Sequence, residues 1–145
     1  MSAPAGRLEA VEVTGPDVTG IPPQNLRVTR AEFAAVWAAA ERDASRDWYA
    51  LGVAMTCRWL ANAVVRPDIG PAYVAHAPVT ERTARAYEEL IEAEYLAAEK
   101  LDQRRPRPRW LLDEPGWIEG VCATFRWAWR RAGPSPIQLD DQLTS

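Results

Sequence analysis

The sequence predicts an all-α protein: a small three- to four-helix bundle around a central, tryptophan-rich helix, with an extended or short β N-terminal arm. Three observations lead there. Trp37, Trp48 and Trp59 recur every eleven residues, and eleven residues of helix are almost three turns, so the indoles drift only about 20° from one to the next. Thr29 and Glu32 form a capping box that opens this stretch. Two later segments, 80–101 and 115–131, carry apolar side chains at helical spacing between clear breakers. At 145 residues and 48% apolar content, the chain is long enough to bury one core without metal or disulfide staples. It divides into an arm over 1–28, a helical domain over 29–132 and a polar tail over 133–145.

In the arm, Leu8–Val13 partly alternates and reads as a short strand, as does Asn25–Val28, with Gly-Pro turns between them. The first helix starts at Thr29, and its outer face carries Arg30, Glu41, Arg42 and Asp43. From Trp48 onward it is apolar on nearly every side, as suits the middle of a bundle. Arg66-Pro67 ends it. A single helix over 30–65 would be about 54 Å long, so a break is expected near Asp43–Asp47, with Ser45 as the cap. Pro67–Val79 is a loop. A second helix runs from Thr80, its N-cap, to Leu101, burying Tyr87, Leu90, Ile91, Ala97, Ala98 and Leu101. Gln103–Arg109 is a basic, proline-bearing linker. The last helix is capped by Asp113 or Glu114, with Pro115 in its first turn. Its core face is Ile118, Val121, Cys122, Phe125 and Trp129. Gly116 and Gly120 would let another backbone approach closely. No supersecondary unit is read as repeated.

The net charge of −3 is unevenly spread: −5 over residues 1–99, +4 over 100–131 and −2 in the tail. Sixteen of seventeen basic residues are arginine, which with the abundant alanine fits the codon bias of a GC-rich bacterial genome such as an actinobacterial one. The N-terminus lacks an apolar signal-peptide core. The apolar run Tyr49–Val65 is interrupted by Arg58 and Asn62, which disfavours a membrane span. A cytoplasmic location without membrane partners is expected. Cys57 and Cys122 sit among apolar neighbours and read as buried free thiols, with an interhelical disulfide as the other option.

No metal or cofactor is expected. His76 is the only histidine, and the Glu-x-x-His pairs of a di-iron bundle are missing. No Gly-x-Ser-x-Gly elbow, phosphate loop or dinucleotide fingerprint occurs. Carboxylates supply the one catalytic candidate. Glu88-Glu89-Leu90-Ile91-Glu92 and Glu99-Lys100-Leu101-Asp102 resemble the Glu-Glu-x-x-Glu and Glu-x-x-Asp motifs of the all-α nucleotide pyrophosphohydrolases of the MazG kind. The resemblance implies that Glu88, Glu92, Glu99 and Asp102 hold magnesium ions that bridge nucleotide phosphates and activate water. In that family the motifs stand on two helices; here they share one, so Asp113, Glu114 or Glu119 would have to complete the site.

The binding candidate is basic. Gly120, Thr124, Trp127 and Arg131 line up away from the core face of the last helix, flanked by Arg126 and Arg130. Trp127 is therefore expected to be an exposed indole among guanidinium groups, with Arg104, Arg105, Arg107 and Arg109 nearby. Such groups suit a protein hot spot and equally a nucleic-acid surface; alternatively, Trp127 packs under the N-terminal arm. The expected function is a non-catalytic interaction or accessory subunit of a bacterial complex, with a protein partner or a second copy of itself. A nucleic-acid-binding factor using residues 104–131 is the alternative, and a magnesium-dependent pyrophosphohydrolase the second alternative.

Overall fold

Thr29 closes its capping box as its spacing predicts: its hydroxyl accepts from the Glu32 amide at 3.1 Å and donates to the Glu32 carboxylate at 2.9 Å. In the computed structural model, which describes residues 11–139, this box starts the second of six helices. They are α1 (Gly15–Thr19), α2 (Arg30–Asp43), α3 (Trp48–Leu60), α4 (Glu88–Gln103), α5 (Arg109–Leu112) and α6 (Trp117–Ala128). One antiparallel hairpin, β1 (Val64–Val65) and β2 (Tyr73–Val74), pairs Val64 with Val74 and Val65 with Tyr73. The chain is thus largely all-α. No helix among the described residues is long and apolar enough to cross a membrane.

The expected break between α2 and α3 is present, but Asp47 makes it instead of Ser45. Its carboxylate accepts from the Tyr49 amide at 3.1 Å, satisfying a donor that helix geometry leaves unpaired. α3 also stops sooner than Arg66-Pro67 would require. Asn62 adopts φ +55°, and the Asn62 and Ala63 amides reach back to the Trp59 and Arg58 carbonyls. That is a Schellman stop with asparagine in the left-handed position.

α4 begins at Glu88, not after Thr80. The backbone of 79–86 is used by core side chains instead of a helical ladder. Trp59 Nε1 donates to the Ala84 carbonyl, Asn25 Nδ2 to the Ala86 carbonyl, and the Ala86 amide to Asn62 Oδ1. Buried Glu94 accepts from the Val79 and Thr80 amides and the Thr80 hydroxyl at 2.6–2.8 Å. α6 likewise starts later than an Asp113 or Glu114 cap implies, because Gly116 takes φ +99° against the Tyr49 side chain.

The lead-in forms α1 and a 3-10 turn over Pro23–Asn25 in place of the expected strand at 25–28. Residues 8–10 of the other expected strand lie outside the described chain, and 11–13 are not a strand. Ile21 and Asn25 are fully buried, so this stretch packs into the core.

α3 and α6 form the centre, and their backbones touch. A Cβ on Gly52 would lie 2.2 Å from the Trp117 carbonyl oxygen, and one on Gly120 would lie 2.3 Å from the Tyr49 carbonyl oxygen. The contact is reciprocal because the two helices share a sequence, Gly-Val-x-x-Thr-x-Arg-Trp, at 52–59 and 120–127. Each threonine donates back to its own glycine carbonyl, Thr56 at 2.8 Å and Thr124 at 2.7 Å. The preceding helices match as well: Trp37-Ala-Ala-Ala-Glu41-Arg42 in α2 corresponds to Tyr95-Leu-Ala-Ala-Glu99-Lys100 in α4. In both halves the repeat glutamate pairs with the repeat arginine, Glu41 with Arg58 and Glu99 with Arg126. The chain is therefore an internal repeat, α2–α3 and α4–α6, with the isologous contact of a two-fold pair. The sequence reading without a repeat is corrected here; ten extra residues between α4 and α6 hide the register.

Glu41 is also corrected, from outer face to core. It is 6% exposed and accepts from Arg58 Nε and a terminal guanidinium nitrogen at 2.7 Å, from Trp37 Nε1 at 2.9 Å and from the Val11 amide at 2.9 Å.

Candidate functional site

The indole expected to stand exposed at the centre of the basic surface is buried. Trp127 is 8% exposed and stacks on Phe33, with ring centroids 6.2 Å and planes 7° apart. Its face of α6 carries Gly120 and Thr124, and that is the face that meets α3. Phe33 of α2 covers one side of the indole. Arg126 pairs with Glu99, Arg130 with Glu92 at 2.5 Å, and Arg107 with Asp102 at 2.8 Å and Glu119 at 3.4 Å. Arg104, Arg105, Arg109 and Arg131 are exposed.

The same contacts answer the acids of α4. Glu92 also accepts from Trp129 Nε1 at 2.9 Å, and Glu88 faces solvent 3.8 Å from Arg27. Glu92, Glu99 and Asp102 therefore meet guanidinium groups in place of a second acidic helix. Among the described residues no group of three or more potential ligands is placed to hold a metal.

A different cluster has the form of a binding site. The start of α3, the loop after β2, α5 and the start of α6 enclose a cleft of about 480 Å³ whose walls include Trp48, Trp110 and Trp117. Trp110 is 48% exposed and packs edge-to-face on Trp117, with centroids 6.1 Å apart. Trp117 donates through Nε1 to Met55 Sδ at 3.4 Å, which fixes the inner wall. Glu81 and Glu114 complete the rim. Partial burial, then the adjacent Asp113 charge, pushes the Glu114 carboxyl above its ordinary range.

Glu81 also borders a neighbouring hollow of about 340 Å³, lined by Arg58 and by Tyr73 and His76, whose rings lie 5.1 Å apart. Sequence reading places Trp48 on the central helix, in the middle of the bundle, whereas it is only half-buried. The signal it missed is that Trp48 and Trp117 each stand at the first residue of a helix, where side chains flank a chain entry.

The two thiols are poor nucleophiles. Cys57 and Cys122 are free and buried. Burial, then Glu41, pushes the Cys57 thiol far up, and burial, then Asp102 and Glu99, pushes Cys122 up to about 12. Comparison of the chain with protein-family models, curated proteins and solved structures gives no match in any of the three, so the site is read from its own side chains.

Proposed function

We propose that this chain is a non-catalytic protein-interaction or accessory subunit that engages its partner through the tryptophan cleft. The observation that carries the reading is the convergence of Trp48, Trp110 and Trp117 on one open cleft, with Trp110 half exposed. Indoles at a solvent-accessible concave surface are the residues most enriched among interface hot spots, and two of the three are already held by contacts to Met55 and to each other. Little side-chain freedom is then lost on binding.

Affinity capture from the source cells tests this, comparing the wild type with Trp110→Ala by mass spectrometry. A partner held by the wild type should be lost from the variant, with thermal melting within about 1 kcal/mol of wild type, as for a half-exposed side chain. The same partners at the same yield with both proteins would refute the cleft as the interface.

A further inference from the structure

The repeat exposes a second surface, separate from the tryptophan cleft. On α2, the outer face Ala35, Ala38, Ala39, Arg42 and Asp43 shares a hollow with the segment Ile137–Leu139 of the same chain. Tyr49 anchors that segment by donating to the Pro136 carbonyl at 2.9 Å, and Ile137 packs against the core. The counterparts on α4 are Ala93, Leu96, Ala97 and Lys100. Chain from the first half does not cover them, because the segment after α3 turns into the β1–β2 hairpin.

Ala39 is buried where Ala97 is half-buried, and Leu96 is 53% exposed. Beside Leu96 lies a hollow of about 630 Å³ with a floor of Ala97 and Leu101 and a rim of Lys100, Gln103, Arg104 and Arg105. Lys100 is one turn from Leu96 on the same helix face. Glu99 and Asp102, the acids nearest in sequence, are held by Arg126 and Arg107. No acidic residue lines this hollow among the described residues.

We propose that this face of α4 binds an extended segment of a partner protein in which two aliphatic residues spaced i, i+2 are followed by acidic residues. The chemistry copies what the chain does to itself. Ile137 and Leu139 are half-buried on either side of exposed Gln138, the alternation that presents i and i+2 to one side, and Asp140 and Asp141 follow them in sequence. The α2 hollow carries Arg42 together with Asp43. The α4 hollow carries Lys100, Arg104 and Arg105 with no acid, so the α4 face is the more complementary to an aliphatic pair followed by acidic residues.

The probe is a synthetic peptide with the sequence of residues 133–145, titrated into the full chain while methyl resonances are followed by NMR. The Leu96, Ala97 and Leu101 methyls should shift. The double variant Lys100→Glu/Arg104→Glu should bind roughly tenfold more weakly, as should a peptide with both aspartates replaced by asparagine. Leu96→Asp should abolish the shifts. These side chains are exposed, so unchanged circular dichroism verifies the fold of each variant.

Four results would each overturn the proposal. The first is shifts confined to Ala35, Ala38 and Ala39, which would mean the peptide only replaces the chain's own tail. The second is no shift at millimolar peptide. The third is affinity indifferent to charge reversal. Tight binding of a single-stranded oligonucleotide at the same rim, unaffected by Leu96→Asp, would likewise replace it with a phosphate site.

Discussion

Replacing Glu41 by glutamine would leave the Arg58 guanidinium, itself 7% exposed, facing a neutral partner in the core. Breaking a buried pair from one side costs about 3–5 kcal/mol, so denaturant midpoints of Glu41→Gln should fall accordingly. Its counterpart pair is more open, with Arg126 and Glu99 side chains 43% and 24% exposed; Glu99→Gln should cost about 0–1 kcal/mol. The same repeat position thus gives two different penalties, set by burial. Glu114 acts with the opposite sign. Its folded-state affinity for a proton is raised, so its contribution favours the fold below the ordinary carboxylate range and is lost as pH rises through the folded value. Glu114→Gln should flatten that part of the stability–pH profile. Neither buried acid was read as core from the sequence. Yet Glu41 stands one turn from Trp37, and Glu94 lies between Ile91 and Ala98 on the buried stripe of α4. Spacing alone points both inward, and hydrogen-bond partners such as Arg58 for Glu41 and the Val79 and Thr80 amides for Glu94 make the inside position stable.

At the scale of helices, the α3–α6 crossing depends on having no Cβ where the backbones meet. Gly52→Ala and Gly120→Ala each drive a methyl against a carbonyl oxygen, which a helix backbone cannot yield cheaply, so each should cost about 3 kcal/mol, the upper part of the overpacking range. Thermal or urea denaturation checks this, and a cost under about 0.5 kcal/mol would mean that the helices separate freely. The cap between α2 and α3 gives a finer comparison: Asp47→Ala should cost about 1 kcal/mol and Ser45→Ala almost nothing. The sequence showed that a break had to exist, since a continuous helix would outrun the domain. It did not identify which side chain makes it, because Ser45 and Asp47 are both competent caps. Trp127 was misplaced for a related reason. Gly120 signalled a close approach, and Trp127 shares its helix face with Gly120; reading that face as open to partners contradicted the glycine.

For the whole molecule, the question is whether the two repeats are separate units or halves of one. Their contacts make them halves. The Trp127 ring of the second repeat lies on Phe33 of the first, and Trp59 of the first donates to Ala84 in the segment that leads into α4. The Arg27 amide donates to the Ala128 carbonyl at 2.7 Å. Each repeat is an amphipathic helical hairpin whose inner face is the other hairpin, so an isolated half would expose the Gly52 or Gly120 face and the indoles above it. Short helices without tertiary packing are marginal in water. The loop between β1 and β2 allows a cut at the surface, for Ile69 is 92% exposed and Gly70 has φ +102°. Fragments 1–69 and 70–145 should therefore each lack a cooperative melt alone. Mixed one to one, they should recover the helical far-ultraviolet signal and bury their tryptophans together, in a transition whose midpoint rises with fragment concentration. Native-like helicity and a cooperative melt in either fragment by itself would show instead that each hairpin folds independently and that the crossing merely docks finished units. If the fragments do complement, Gly120→Ala in the second should block association while leaving that fragment's own spectrum unchanged, because the clash exists only where α3 and α6 meet.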